Sequence, residues 1–128
     1  MIKHKNTKKQ GDAGLGDCIA YFTSIGATVL IPLTDSQDYD LVIDQGNGLK
    51  RVQVKTSTQV NKYGSYSVGL RLIGGTTGTV LKHFDATSVE LLFVLCSNGS
   101  RYLIPTSEFN CKTGIDLGKK YEKFRLAV

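Results

Sequence analysis

The sequence predicts an α/β fold with a central mixed β-sheet flanked by helices, and three observations predict it. An N-terminal stretch carries apolar residues at helical spacing, several later stretches alternate with period two or run almost wholly apolar, and clusters of Gly, Pro, Asn and Ser separate them. At 128 residues and 41% hydrophobic content the chain suits one compact domain, 1–128, with room for a real core.

The elements follow in order. From about Lys8 to Ile25, Ala13, Ile19, Ala20, Phe22 and Ile25 recur at mixed helical spacing and Gly26 follows as a stop, so this segment is read as one helix. Gly14 and Gly16 each weaken a helix by about 1 kcal/mol relative to Ala. They are read as places where a neighbouring strand packs closely. Ala27 to Ile31 is a short apolar strand closed by Pro32, and Thr34 to Asp38 is a polar loop. A hairpin comes next, with arms Asp38 to Asp44 and Lys50 to Ser57. Tyr66, Val68, Leu70 and Leu72 alternate with Ser67, Gly69, Arg71 and Ile73, which predicts another strand despite the glycines. Val89 to Cys96 is a nearly unbroken apolar run, joined to Arg101-Tyr102-Leu103-Ile104 by the tight-turn sequence Ser97-Asn98-Gly99-Ser100. These two strands are expected at the buried centre or far edge of the sheet. Pro105 ends the second, and Thr106 to Phe109 begins a short helical turn. Gly74-Gly75-Thr76-Thr77-Gly78 is not a phosphate loop, because no Gly-Lys-Ser/Thr follows it.

Composition excludes several classes. There is no apolar run of about 18 residues, and Met1-Ile2-Lys3-His4-Lys5 lacks the apolar region of a signal peptide, so a soluble, cytoplasmic protein with no membrane partner is expected. Three cysteines, Cys18, Cys96 and Cys111, without CxxC spacing indicate neither a disulfide framework nor a zinc site; Cys18 and Cys96 are read as small core residues. Two histidines, His4 and His83, give little material for a histidine metal site or a Ser-His-Asp triad. The net charge of +5 favours contact with a polyanion. Lys3, Lys5, Lys8 and Lys9 precede the first acid, and Lys112, Lys119, Lys120, Lys123 and Arg125 gather near the end, where they suit phosphate-backbone contacts or simply solubilise the termini. Lys62, Tyr63, Tyr66, Arg71 and Lys82 mix cations with aromatics, a composition suited to DNA; Tyr66 is read rather as capping the sheet.

The hairpin carries the chemistry. Asp40, Val42 and Asp44 share one face of its first arm, and Arg51, Gln53, Lys55 and Ser57 share one face of its second. A turn centred near Gly46-Asn47-Gly48 sets Asp40 opposite Gln53 or Val54, so Asp40, Gln53 and Lys55 can meet. A carboxylate and an ammonium among Val, Leu and Ile must be paired or solvated. One solution is an edge hairpin with an Asp40–Lys55 ion pair and a surface Gln53. The other is a divalent metal. Asp40 would then be a hard oxygen ligand, the carbonyl of Val54 and the side-chain oxygen of Gln53 would complete the protein's share, and waters would fill an Mg2+ octahedron. Lys55 would lie beside a metal-bound water or the scissile phosphate and neutralise charge that develops during attack.

Gly11-Asp12 in the helix, then Thr28-Val29-Leu30-Ile31-Pro32, Tyr39-Asp40-Leu41-Val42-Ile43 and Arg51-Val52-Gln53-Val54-Lys55-Thr56 resemble, in order and spacing, the PD-(D/E)XK endonuclease superfamily. The Gln in place of a second acid resembles the small group that includes intron-encoded homing endonucleases. Val89 to Leu95, Arg101 to Pro105 and the tail Leu117 to Phe124 are more weakly similar to later parts of such proteins. The resemblance implies a restriction-endonuclease-like core, Mg2+ as cofactor, and catalysis by Asp40, Gln53 and Lys55, with metal held by Asp40, Val54 and an acid of the first helix. Relatives place Glu three residues after the Gly-Asp pair; here that position is Leu15. Asp12 shares a helix face with it and is the expected stand-in, ahead of Asp17.

The function so expected is metal-dependent hydrolysis of phosphodiesters in double-stranded DNA, with Lys8, Lys9, Lys62, Arg71, Lys82, Lys119 and Lys120 as DNA contacts. One site per chain and two strands to cut imply a homodimer or homotetramer. The alternatives are a Holliday-junction resolvase or repair nuclease on the same core, a nuclease-like DNA-binding module impaired by Leu15, and a protein-interaction domain without salt-dependent DNA binding.

Overall fold

In the computed structural model residues 2–70, 72–74, 80–82, 87–109 and 113–127 are described, with 72–74 and 80–82 described in their backbone alone. The chain runs α1 (Thr7–Ser24), β1 (Thr28–Leu30), β2 (Leu41–Asp44), β3 (Leu49–Ser57), β4 (Tyr66–Gly69), β5 (Leu72–Gly74), β6 (Val80–Lys82), β7 (Leu91–Cys96), β8 (Arg101–Pro105) and β9 (Gly114–Leu117), with 3₁₀ turns at Thr106–Glu108 and Lys119–Phe124.

Asn6 sets the start of α1. Its side-chain oxygen accepts the otherwise orphaned amides of Lys8 at 2.9 Å and Lys9 at 3.2 Å. Gly26 ends the helix at φ 87°, a conformation that favours glycine. Cys18 and Phe22 point into the core. Gly14 explains itself by what lies over it: a Cβ there would stand 2.7 Å from Thr56 Cγ2 and 3.3 Å from Val54 Cγ1, so any side chain would push α1 off β3. Gly16 has no such neighbour, so close packing accounts for one of the two helical glycines.

Five strands form the main sheet in the order β1-β2-β3-β7-β8. β3 and β7 are parallel and the other neighbours are antiparallel, which is the mixed sheet expected. β7 takes a central place because Leu92 to Cys96 are all buried, apolar on both faces. Alternation divides its side chains between two cores. On one face Leu41, Ile43, Val52, Phe93 and Leu95 meet Cys18 and Phe22 of α1. On the other, Leu92, Val94, Cys96, Tyr102 and Ile104 meet Val68, Leu70, Ile115, Leu117 and Tyr121.

The helical layer is thus α1 on the first face; the second is closed by the antiparallel β4–β9 pair and the Lys119–Phe124 turn. The strand expected across Tyr66–Ile73 divides, since β4 stops at Gly69 and the amide of Leu70 bonds instead to the carbonyl of Thr113 at 3.0 Å. β9 has no strong sequence signature and exists because β4 offers it a pairing edge and Ile115 and Leu117 fill the second core. Among the described residues no helix is long and apolar enough to cross a membrane.

Candidate active site

The site forms where β2 stops and β3 continues. Leu41 pairs with Val52, and the Asp40 amide donates to the Val52 carbonyl at 2.9 Å, so Asp40 lies opposite Gln53 as the turn geometry requires. The loop that makes this register contains Gly46 and Gly48 at φ 92° and 110°, and Asp44 Oδ1 accepts the Gly46 amide at 2.8 Å. Beyond Asp40 the first arm leaves the sheet. Val54 then has no β2 residue to pair with, and its N–H donates to Asp40 Oδ2 at 2.7 Å. The N–H and C=O of a strand residue point the same way, so the Val54 carbonyl opens toward the same spot.

Gln53 is 7% exposed and donates Nε2 to Asp40 Oδ2 at 2.9 Å. The second neighbour of Nε2 is the Val54 carbonyl at 3.5 Å, also an acceptor, so the amide nitrogen rather than the oxygen is turned inward. A carboxylate at 53 would face Asp40 as a like charge; the amide supplies a donor instead. Asp40 Oδ1 accepts no hydrogen bond from the described residues.

Lys55 stands beside Val94 in the parallel register, on the face of the second core. Burial lowers its proton affinity below that of an ordinary lysine, and the charge of Asp40 opposes the shift. Asp40 moves the other way. Burial raises its pKa above the usual carboxylate range, against the Val54 hydrogen bond and the Lys55 charge, which favour ionisation. The two attract at a distance but form no direct ion pair; the ion pairs among the described residues are Arg51–Glu90, Arg101–Asp17 and Arg125–Glu122.

The other expected site residues are dispersed. Asp12 is exposed on α1, whereas Leu15 packs against the first core. Among the described residues no three His, Cys, Asp or Glu side chains gather at one point. The oxygen donors at the Asp40 end of β2 are therefore the Asp40 carboxylate and the Val54 carbonyl, and Gln53 turns its amide nitrogen to them in place of the oxygen expected from the sequence. Two hard oxygen donors fit a divalent cation that keeps several waters. Lys8, Lys9, Lys62, Lys119 and Lys120 are exposed. Lys82 lies in β6 with only its backbone described, and Arg71 lies outside the described residues. What the sequence reading lacked was the Val54 amide as an anchor for Asp40; the signal was the polar loop before residue 40, which leaves β2 beginning two residues short of Val54's partner, residue 39.

A paired acid, amide and desolvated lysine on a β2–β3 hairpin, with a helix packed across β3, is the arrangement expected of the PD-(D/E)XK class. The profile of the PD-(D/E)XK endonuclease family matches residues 5–123, and the chain belongs to that family. Among solved structures it is similar to a bacterial homing endonuclease, I-Ssp6803I, at 28% sequence identity and a TM-score of 0.74, over 89% of this chain and 79% of that one. The α/β arrangement described above is accordingly a restriction-endonuclease-like core. No curated protein matches.

Proposed function

We propose that the protein is a metal-dependent endonuclease that hydrolyses phosphodiester bonds in double-stranded DNA, in the manner of a homing enzyme. The observation that carries this reading is Asp40, held by Gln53 Nε2 at 2.9 Å and the Val54 amide at 2.7 Å, with a desolvated Lys55 on the same strand face. Asp40 Oδ1 and the Val54 carbonyl would hold Mg2+, with waters completing its shell. When bound, that cation supplies Lewis-acid polarisation and a water of lowered pKa. The chain's own residues do the rest. Gln53 and Val54 fix the Asp40 carboxylate in one orientation before substrate arrives. Lys55, with a lowered proton affinity, can hold a proton beside the phosphate as negative charge grows there, or yield it to a leaving oxygen.

Charge distribution supports a nucleic-acid substrate. Residues 45–84 contain six Lys and Arg and no acid, whereas residues 10–44 contain six Asp and no Lys or Arg. A homodimer or homotetramer supplies the second site that a duplex break needs. The edge strand β1 supports it, because Leu30 and Ile31 at its end and Leu33 beyond are 41%, 50% and 102% exposed, an apolar rim on the acid-bearing side of the chain.

The test incubates the protein, Lys55→Ala and Asp40→Asn with supercoiled plasmid and four-way-junction DNA, in Mg2+ or EDTA. Mg2+-dependent cutting of plasmid that both substitutions abolish supports the proposal; preference for the junction makes it a resolvase. Leu15 gives a second reading its footing, a binder with an impaired site. If Leu15→Glu alone confers cutting on a wild-type chain that binds but does not cut, that second reading is the right one.

A further inference from the structure

Resting on the DNA-cleaving reading above, we infer that the turn Asn61–Ser65 beyond β3 is a preformed groove-reading knuckle, in which Tyr63 contacts base edges and Lys62 the adjoining phosphate. Tyr63 is 80% exposed and Val60 52% exposed, and neither packs into either core. An exposed aromatic on a mobile loop would mean little; this one stands on a fixed turn. The Asn61 amide donates to the Ser65 carbonyl at 2.8 Å, and the Gly64 amide to the Asn61 carbonyl at 3.1 Å. Asn61 Oδ1 accepts the amides of Tyr63 at 2.9 Å and Ser65 at 3.0 Å, and Gly64 closes the turn at φ 84°. The stem is tied down as well. Val60 bridges Tyr66, the Ser67 amide donates to the Gln59 carbonyl at 2.9 Å, and Tyr66 Oη shares a hydrogen bond with Ser97 Oγ at 2.9 Å. Tyr66 therefore anchors the stem, as a sheet-capping residue should, and Tyr63 is left exposed to solvent.

Three features select duplex DNA as the occupant. Lys62 Nζ lies 5.1 Å from the centre of the Tyr63 ring, so one turn presents a cation and an aromatic face together. No acid lies between Asp44 and Asp85, so the segment carries nothing that repels phosphate. The turn also continues the strand that carries Lys55. Five residues from Lys55 to Val60 span at most about 17 Å, or about five base pairs at roughly 3.4 Å each. With Lys55 at the scissile phosphate, Tyr63 falls on the groove a few base pairs from the cut. A rigid aromatic loses little conformational freedom on binding, which suits it to that position.

The experiment selects binders from a duplex pool with a randomised 40-base-pair core, using full-length wild type, Tyr63→Ala, Tyr63→Phe and Lys62→Met in Ca2+ buffer, with melting curves for each. Expected is a wild-type consensus from which Tyr63→Ala loses a few adjacent positions and about 10-fold in affinity. Tyr63→Phe keeps the consensus if the ring's apolar contact reads it. Lys62→Met weakens binding about equally for all sequences and lowers the salt slope by about one. All melt with wild type. A Tyr63→Ala consensus and affinity identical to wild type overturns the inference and leaves the endonuclease reading standing, whereas a wild-type chain that binds no DNA overturns both.

Discussion

Two charged residues on one face of β3 lead different lives. Arg51 Nε lies 2.9 and 3.2 Å from the two Glu90 oxygens, and its Nη2 donates to the Thr87 carbonyl at 3.2 Å. Four residues along, Lys55 has an apolar neighbour in Val94, an acid it attracts without touching, and a depressed pKa. The strand thus carries a satisfied charge that joins β3 to the segment before β7, and one without an ion-pair partner at the position proposed to be catalytic. The Arg51–Glu90 pair is closed within the protein, whereas Asp40 Oδ1 accepts no hydrogen bond and Lys55 forms no ion pair among the described residues.

The strongest way to break that contrast is to remove the unsatisfied charges. Lys55→Ala and Asp40→Asn are each expected to lower plasmid cleavage by about 10²–10⁴-fold, read by single-turnover gel assay, while Asp40→Asn raises the melting temperature at neutral pH. The sign follows from the shifts. Asp40, with its folded pKa raised, contributes stability below the unfolded carboxylate pKa and loses it as pH rises through the folded value. Lys55, with its folded pKa lowered, contributes stability above the unfolded lysine pKa and loses it as pH falls through the folded value. Between those limits both work against folding. A melting temperature for Asp40→Asn below that of wild type would contradict this assignment.

Next in size is the packing beneath the site. Gly14→Ala places a methyl 2.7 Å from Thr56 Cγ2 and is expected to cost about 1–3 kcal/mol in urea unfolding, with cleavage reduced because Val54 moves with β3. Gly16→Ala, with nothing within 4 Å, should stabilise the helix slightly and serves as its control. A smaller effect sharpens the comparison from pH. The acid limb of the cleavage profile should lie above the ordinary carboxylate range, because Asp40 must ionise to hold a cation; a limb at ordinary carboxylate pH would remove Asp40 from that role. The smallest effect is at the satisfied charge. Arg51→Met should cost about 0.5–1 kcal/mol, since the pair is partly solvated, and leave the cleavage rate unchanged.

What was legible in the sequence was local. The hairpin register depends on a turn of known length and on period-two alternation, so the meeting of Asp40 with Gln53 could be read directly. Gly14 announced a close approach, although Gly16 looked the same and has no contact. Asn6 as a cap was equally local and is a recognisable signal that sets the helix start one residue earlier than apolar spacing alone suggests. The rest was not local. Nothing in Val89 to Cys96 says that it pairs parallel with β3 rather than lying at the rim, because an apolar run is compatible with any interior place in a sheet. The β4–β9 cover depends on an edge created by folding, and Leu15 reads as a gap in a motif until its packing against the first core gives it a structural role.

The parallel pairing of β3 with β7 also orders events in time. Asp40, Gln53 and Lys55 come from one hairpin, of a kind that closes within about 1–10 μs. Arg51 and Glu90, at the mouth of the β3–β7 pairing, are 39 residues apart, and such long-range parallel contacts form late because the intervening loop must close first. A chain caught before β7 docks already holds the three groups in register, but in water, with ordinary carboxylate and ammonium behaviour. The nascent protein therefore sets these three groups in register early and desolvates them only when β7 docks.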